Sequence, residues 1–246
     1  CYYIIASNIS GDGTLDHGGT TPDGNNENGL RIVNVGSFSI TDSSSISNNY
    51  ASGIYLENTS AIDISSNTFS GNGWSAIRQI GGTLSNISDN VFTENQNTTQ
   101  NGSNTGGAIY TDMPGASILS NEMTHNIATY GGGIYVQSGS PFIYDNLISY
   151  NRSHNSGGAV HVAGAADNYP TITYNTLTGD TSLTDEGGAV YISNTGNNRT
   201  SINNNVISEW VGHGVYGDPD SLMYNNILIS TINSGEVGYS LLKTND

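Results

Sequence analysis

The residues best suited to chemistry are the triplet Gly212-His213-Gly214 and, shortly before it, the acidic pair Asp185-Glu186. A histidine beside two carboxylates supplies a general base and a general acid, the minimum set for cleaving a glycosidic bond with an attacking water. Lys243 follows, but the other cations, Arg31, Arg78, Arg152 and Arg199, are scattered along the chain. A lyase acting on a uronate needs clustered positive charge to neutralise the substrate carboxylate, and that cluster is missing. Two acidic segments near the start place Asp12, Asp16 and Asp23 as candidate oxygen ligands for Ca²⁺, although neither segment fits the EF-hand loop. His17, His125, His154, His161 and His213 show neither HxH nor HExxH spacing. Cys1 is the single cysteine, which excludes an internal disulfide and a thiolate zinc site. Beyond the Ca²⁺ candidate, no cofactor is expected.

A repeat must position these residues. Gly106-Gly107-Ala108-Ile109-Tyr110 recurs as Gly131-Gly132-Gly133-Ile134-Tyr135, Gly157-Gly158-Ala159-Val160-His161 and Gly187-Gly188-Ala189-Val190-Tyr191. Looser copies begin at Glu27, Ala51, Trp74 and Gly212, so successive copies step by 23 to 32 residues. A second motif follows each first one, with Ile64, Asn67, Phe69 and Asn72 as its clearest instance. Alternation with period two around the apolar positions predicts short strands with one buried face. The intervening Asn predicts a turn, because it tolerates left-handed backbone angles. A period in the twenties is that of a solenoid coil.

In register, Asn67, Asn90, Asn121, Asn146, Asn175, Asn205 and Asn226 fall at one turn of successive coils, where each amide can bond the next as an asparagine ladder. The ladder, the short strands and the coil length together resemble the right-handed parallel β-helix of the pectin-lyase-like superfamily, over roughly residues 27 to 235. The resemblance implies an all-β solenoid of about nine coils in one domain. Residues 1–26 are expected to form an irregular first strand and loop, and 236–246 a terminal strand. The right hand is implied by the resemblance alone. The paired motifs are also similar to the GGA(I/V) and FxxN repeats of polymorphic outer-membrane adhesins, carried here by Gly106 to Ile109, Gly157 to Val160, Gly187 to Val190, Phe69 to Asn72 and Phe92 to Asn95. That likeness implies a surface-exposed, non-catalytic β-helix; these residues are not expected to form the family's membrane barrel, so autotransport is not inferred. Polygalacturonase-like β-helices carry a Gly-His-Gly as well, but their Asn-Thr-Asp and Gly-Asp-Asp segments are absent.

On the first strand of each coil the residue after Ile or Val is expected to point outward, giving a stripe of Arg31, Tyr55, Arg78, Tyr110, Tyr135, His161, Tyr191 and Tyr216. The residues two before it are all Gly or Ala, which predicts a flat strip open to another backbone. Such a stripe suits a protein interface or a sugar groove. Five Lys and Arg against 21 Asp and Glu give a net charge of -16, which repels phosphate backbones and anionic lipids and excludes nucleic acid as a leading partner. No apolar run reaches membrane-spanning length, and no basic segment precedes an apolar stretch as in a signal peptide, so any export signal is expected to have been removed or cropped. Only 11% of residues are charged while 33 are Asn, a polar but weakly charged surface that suits the outside of a cell. Tyr2 to Ile5 and Val237 to Leu242 read as ordinary strands without polar caps, so self-association through ends or sides is expected. The leading expectation is a non-enzymatic extracellular structural protein, a self-assembling surface layer, sheath, fibre or adhesin subunit whose main partner is itself. The alternative is a polysaccharide-active enzyme of the glycoside hydrolase type, or a glycan-binding module, using the stripe as a groove with Asp185, Glu186 and His213 as catalysts.

Overall fold

The computed structural model describes residues 28–97, 104–164, 169–184, 186–193, 199–217 and 222–229, together with the backbone of three short strands before them. Each coil lays one strand on each of three faces. The first face runs from Leu30–Val33 to Val215–Gly217, the second from Phe38–Thr41 to Leu222–Tyr224, and the third from Ser45–Ser47 to Ile227–Ile229. A shorter fourth sheet, Gln96–Asn97, Ile127–Tyr130, Arg152–Ser156 and Thr181–Ser182, widens the middle coils.

Among the described residues eight strands stack in parallel on each main face, so eight coils are seen there where about nine were expected, with seven turns from first to last. The ninth strand of each sheet belongs to the N-terminal segment, where one irregular strand was expected. Leu15–Asp16, Asn8–Gly11 and Tyr3–Ile5 run antiparallel to the three strands of the first coil. That coil's edge is therefore hydrogen-bonded, and Tyr3–Ile5 is a reversed strand instead of one more parallel rung.

Alternation along these strands buries one residue in two. Ile40, Ile64, Ile87, Ile118, Ile143, Ile172 and Ile202 form one inward column, each fully buried. Facing it, Phe69 and Phe92 stack at 5.0 Å within a second column. Each such side chain is worth roughly 1.5–3 kcal/mol of burial, and the parallel register repeats that gain in every coil.

The corner between the second and third faces holds the expected ladder. Asn67 Nδ2 donates to Asn90 Oδ1 (3.2 Å), Asn90 to Asn121 (3.0 Å), and the chain of bonds continues through Asn146, Asn175 and Asn205 to Asn226. The second amide hydrogen donates to a strand carbonyl of the preceding coil, as Asn90 does to Ile64 (2.8 Å). The ladder residues are not the left-handed ones; the residues just before them are, including Ser66, Asp89, Ser120, Asp145 and Tyr174, with φ between 51° and 59°. Asn is required for its amide, which satisfies buried donors and acceptors at the bend, and its neighbour takes the strain.

A second ladder runs along the corner after the third face, Asn49 to Asn72, Asn95, Asn126, Asn151 and finally Asp180. It uses the last Asn of the same motif. The Gly-Gly pair closes each later coil at the entry to the first face. Gly131 has φ of 64°, and a Cβ on Gly132 would lie 2.5 Å from the Gly158 carbonyl oxygen, so neither position admits a side chain.

Candidate functional site

The first-face stripe exists, and parallel register makes it one continuous stack from Arg78 to Tyr216. The Arg78 guanidinium lies 3.9 Å from the Tyr110 ring, followed by Tyr110–Tyr135 at 5.6 Å, Tyr135–His161 at 4.9 Å, His161–Tyr191 at 4.7 Å and Tyr191–Tyr216 at 5.7 Å. Arg31 covers Tyr55 at 5.5 Å and pairs with Glu57 at 3.3 Å. Tyr55 donates to that same carboxylate. The expected outward exposure fails in the middle, where Arg78, Tyr110, Tyr135 and His161 are 6–9% exposed. Their ring faces cover one another, so the column offers edges where a sugar platform needs open faces. Burial, reinforced by neighbouring Tyr110 and Tyr130, pushes the Tyr135 hydroxyl up to about 12.

The flat strip beside the stripe is also absent. Ala76, Ala108, Ala159 and Ala189 belong to the core, and a Cβ on Gly53 would meet the Ala76 carbonyl oxygen at 2.7 Å. The tight bend before the strand reverses the alternation, so these residues are small because the next coil presses on them from inside.

Of the proposed acid–base set, Asp185 and Lys243 lie outside the described residues. Glu186 is exposed and bridges by its backbone to Ser156, while His213 is half-buried with its ring stacked on Tyr216 at 5.6 Å. The two stand on adjacent coils, where the Gly188 N–H donates to the His213 carbonyl, and no side-chain hydrogen bond between them is found among the described residues. The closest approach to a nucleophile–base pair is elsewhere, Ser156 Oγ to His161 Nδ1 at 3.0 Å. Ser156 is 2% exposed, out of a substrate's reach, and desolvation depresses His161 to about 4, so the imidazole is a neutral partner within the stack.

Comparison with known proteins fits this geometry. A family model described as a right handed beta helix region matches residues 23–207. The chain belongs to the right-handed β-helix family. Searches of curated proteins and of solved structures return no match.

Within the β-helix, sequence reasoning overlooked two features. Asp180 ends the second ladder in a position built for Asn: its Oδ1 accepts from the Asn151 backbone and side chain at 2.9 and 3.0 Å, while Oδ2 is buried without a partner. Desolvation raises its carboxyl well above the ordinary range. The signal was available, since the motif's last Asn recurs four times before Asp replaces it. The other is an exposed aromatic corner at Phe142, Tyr144 and Tyr174, whose residues do not share one repeat position and so form no column in the sequence.

The Ca²⁺ candidates Asp12 and Asp23 lie outside the described residues, and only the backbone of Asp16 is described. Among the described residues, no group of three or more His, Cys, Asp and Glu could hold a metal, and no helix is long and apolar enough to cross a membrane. Two Asn-x-Ser/Thr sequons, at Asn97 and Asn151, are buried and closed to modification.

Proposed function

We propose that this β-helix is a non-enzymatic structural rod, displayed outside the cell as a self-associating surface, sheath or adhesin subunit. The observation that carries the reading is how the chemically able side chains are used. The Asn columns bond the next coil, the tyrosines and His161 stack on the next ring, and His213 stacks on Tyr216. The first two kinds of contact hold one coil to the next, and the third occupies the His213 ring within its own coil. The adhesin-like GGA(I/V) and FxxN motifs and the weakly charged polar surface support an extracellular setting.

Self-association has an apolar surface to use. Leu222 and Tyr224 on the second face, with Ile227 and Ile229 on the third, are 51–63% exposed around a single corner. Contiguous exposed apolar area of this kind commonly marks a contact with another chain. The enzymatic alternative makes a separate prediction. Incubation with neutral and uronate polysaccharides should release no new reducing ends. Release that disappears in both Glu186→Gln and His213→Ala, with the fold retained, would replace the structural reading with a hydrolase.

A further inference from the structure

We propose that the exposed corner at Phe142, Tyr144 and Tyr174 docks a cationic, arginine-bearing polypeptide segment. The corner lies between the second and third faces. Asn146 bonds Asn175 across the ladder, which places Tyr174 on the coil next to Asp145, one corner above the other. Phe142 and Tyr144 stack at 5.5 Å and 14°, and Tyr174 meets Tyr144 edge-on at 5.5 Å and 62°. Leu147, the strand residue after this corner, pairs in register with Glu122. Phe142, Tyr144, Leu147 and Tyr174 are all 37% exposed or more. Unlike the rings of the first face, Phe142 and Tyr174 each have one ring partner and leave a face to solvent.

The backbone adds a second, independent sign. Tyr174 occupies the left-handed corner position, φ 58°, which other coils fill with Ser, Asp or Asn. A bulky residue there is strained, and at 57% exposure it recovers little of that cost by burial. Tyr150 repeats the strained backbone at the next corner, with φ 55° and 53% exposure, but there the ring stacks on His125 at 5.6 Å, whereas Tyr174 meets its one ring partner only edge-on. Aromatic side chains held where the fold disfavours them and water reaches them are placed for a partner.

Charge selects the partner's chemistry. The second and third faces and their corners carry Asp63, Asp89, Glu94, Glu122, Asp145 and Glu209, and no Lys or Arg among the described residues. Arg152 and Arg199 lie just outside this surface, on the fourth sheet and ahead of Ser201–Asn203. A guanidinium satisfies both halves of the site, since it stacks on an aromatic face and its fork binds carboxylates; an ammonium stacks less well. The chain uses the same contact internally, with Arg78 over Tyr110 and Arg31 over Tyr55.

The test titrates the full chain with a labelled peptide of alternating Arg and Gly, the matched Lys peptide, and a neutral glucose oligosaccharide, for wild type and for Tyr144→Ser combined with Tyr174→Ser. Both positions are exposed and Ser fills the left-handed corner position in other coils, so the variant should keep its thermal midpoint or raise it slightly. The Arg peptide should bind more tightly than the Lys peptide and lose about tenfold in affinity in the variant, while the Lys peptide changes little. Equal affinity for the two peptides, unaltered by the substitutions, would reduce the attraction to diffuse charge and overturn the proposal. Oligosaccharide binding that the substitutions abolish would overturn it in favour of a glycan site.

Discussion

Asp180 and His161 show how a single buried group sets the pH response of the rod. The folded carboxyl of Asp180 is raised, so the fold retains a proton that the unfolded chain releases near 3.8. Its contribution is present below that value and is lost as pH rises above it. Asp180→Asn supplies the missing ladder donor, so it should stabilise the protein by about 1–3 kcal/mol at pH 7 and less at pH 4, as read by chemical denaturation. His161 acts in the opposite direction. Its folded value is depressed to about 4 from 6.5, so its stabilisation is present above 6.5 and declines as pH falls towards 4, by on the order of 3 kcal/mol. His161→Phe should preserve the stack between Tyr135 and Tyr191 and remove that acid-side decline. An unchanged acid slope in this variant would place the titration elsewhere. Neither behaviour was legible in residue type. Asp180 reads as the drifted end of a motif and His161 as one more member of an outward stripe, because sequence spacing shows which residues share a column and not how far neighbouring rings close over it.

At the scale of the element, the two corners carry the fold. Asn121 accepts from the backbone and side chain of Asn90 and donates to Ile87 and Asn146, so Asn121→Ala leaves several buried groups unsatisfied. A loss of about 3–5 kcal/mol is expected, against about 1 kcal/mol for Asn226→Ala at the half-buried end of the ladder. Equal losses at the two sites would mean that the ladder is not the stabilising device. At the left-handed corner positions, Glu94 sits between coils that use Gly71 and His125. Glu94→Gly should relieve the strain and raise the thermal midpoint slightly, by up to about 1 kcal/mol equivalent. The strands, the first ladder and the coil register were legible because each depends on side chains that recur at one spacing. The second ladder was visible in the same motif. The bend was assigned to the wrong residue, since sequence favours Asn for left-handed angles while the fold needs its amide one position later. The small residues before the stripe were misplaced for the same reason: a corner reverses the in–out alternation that a straight strand would keep.

For the whole molecule, the coils make a rod about 35–40 Å long at roughly 4.8 Å per turn, with the middle of its aromatic column closed and exposed aromatic and apolar groups such as Phe142, Tyr144, Leu222 and Ile227 on the other two main faces. A net charge of -16 sets rods against one another at low ionic strength. Self-association should therefore strengthen as salt screens that repulsion, and weaken in Leu222→Ser combined with Ile227→Ser, which removes apolar area from the exposed corner. The architecture was legible in the repeat, whereas the count of coils was not, because the N-terminal strands lack the motif and run in reverse. Electron microscopy of the purified chain across protein and salt concentration tests the structural account most directly. Ordered fibres, tubes or sheets that grow with salt and keep a spacing near the rod's dimensions are the predicted result, while single dispersed rods under every condition would contradict it.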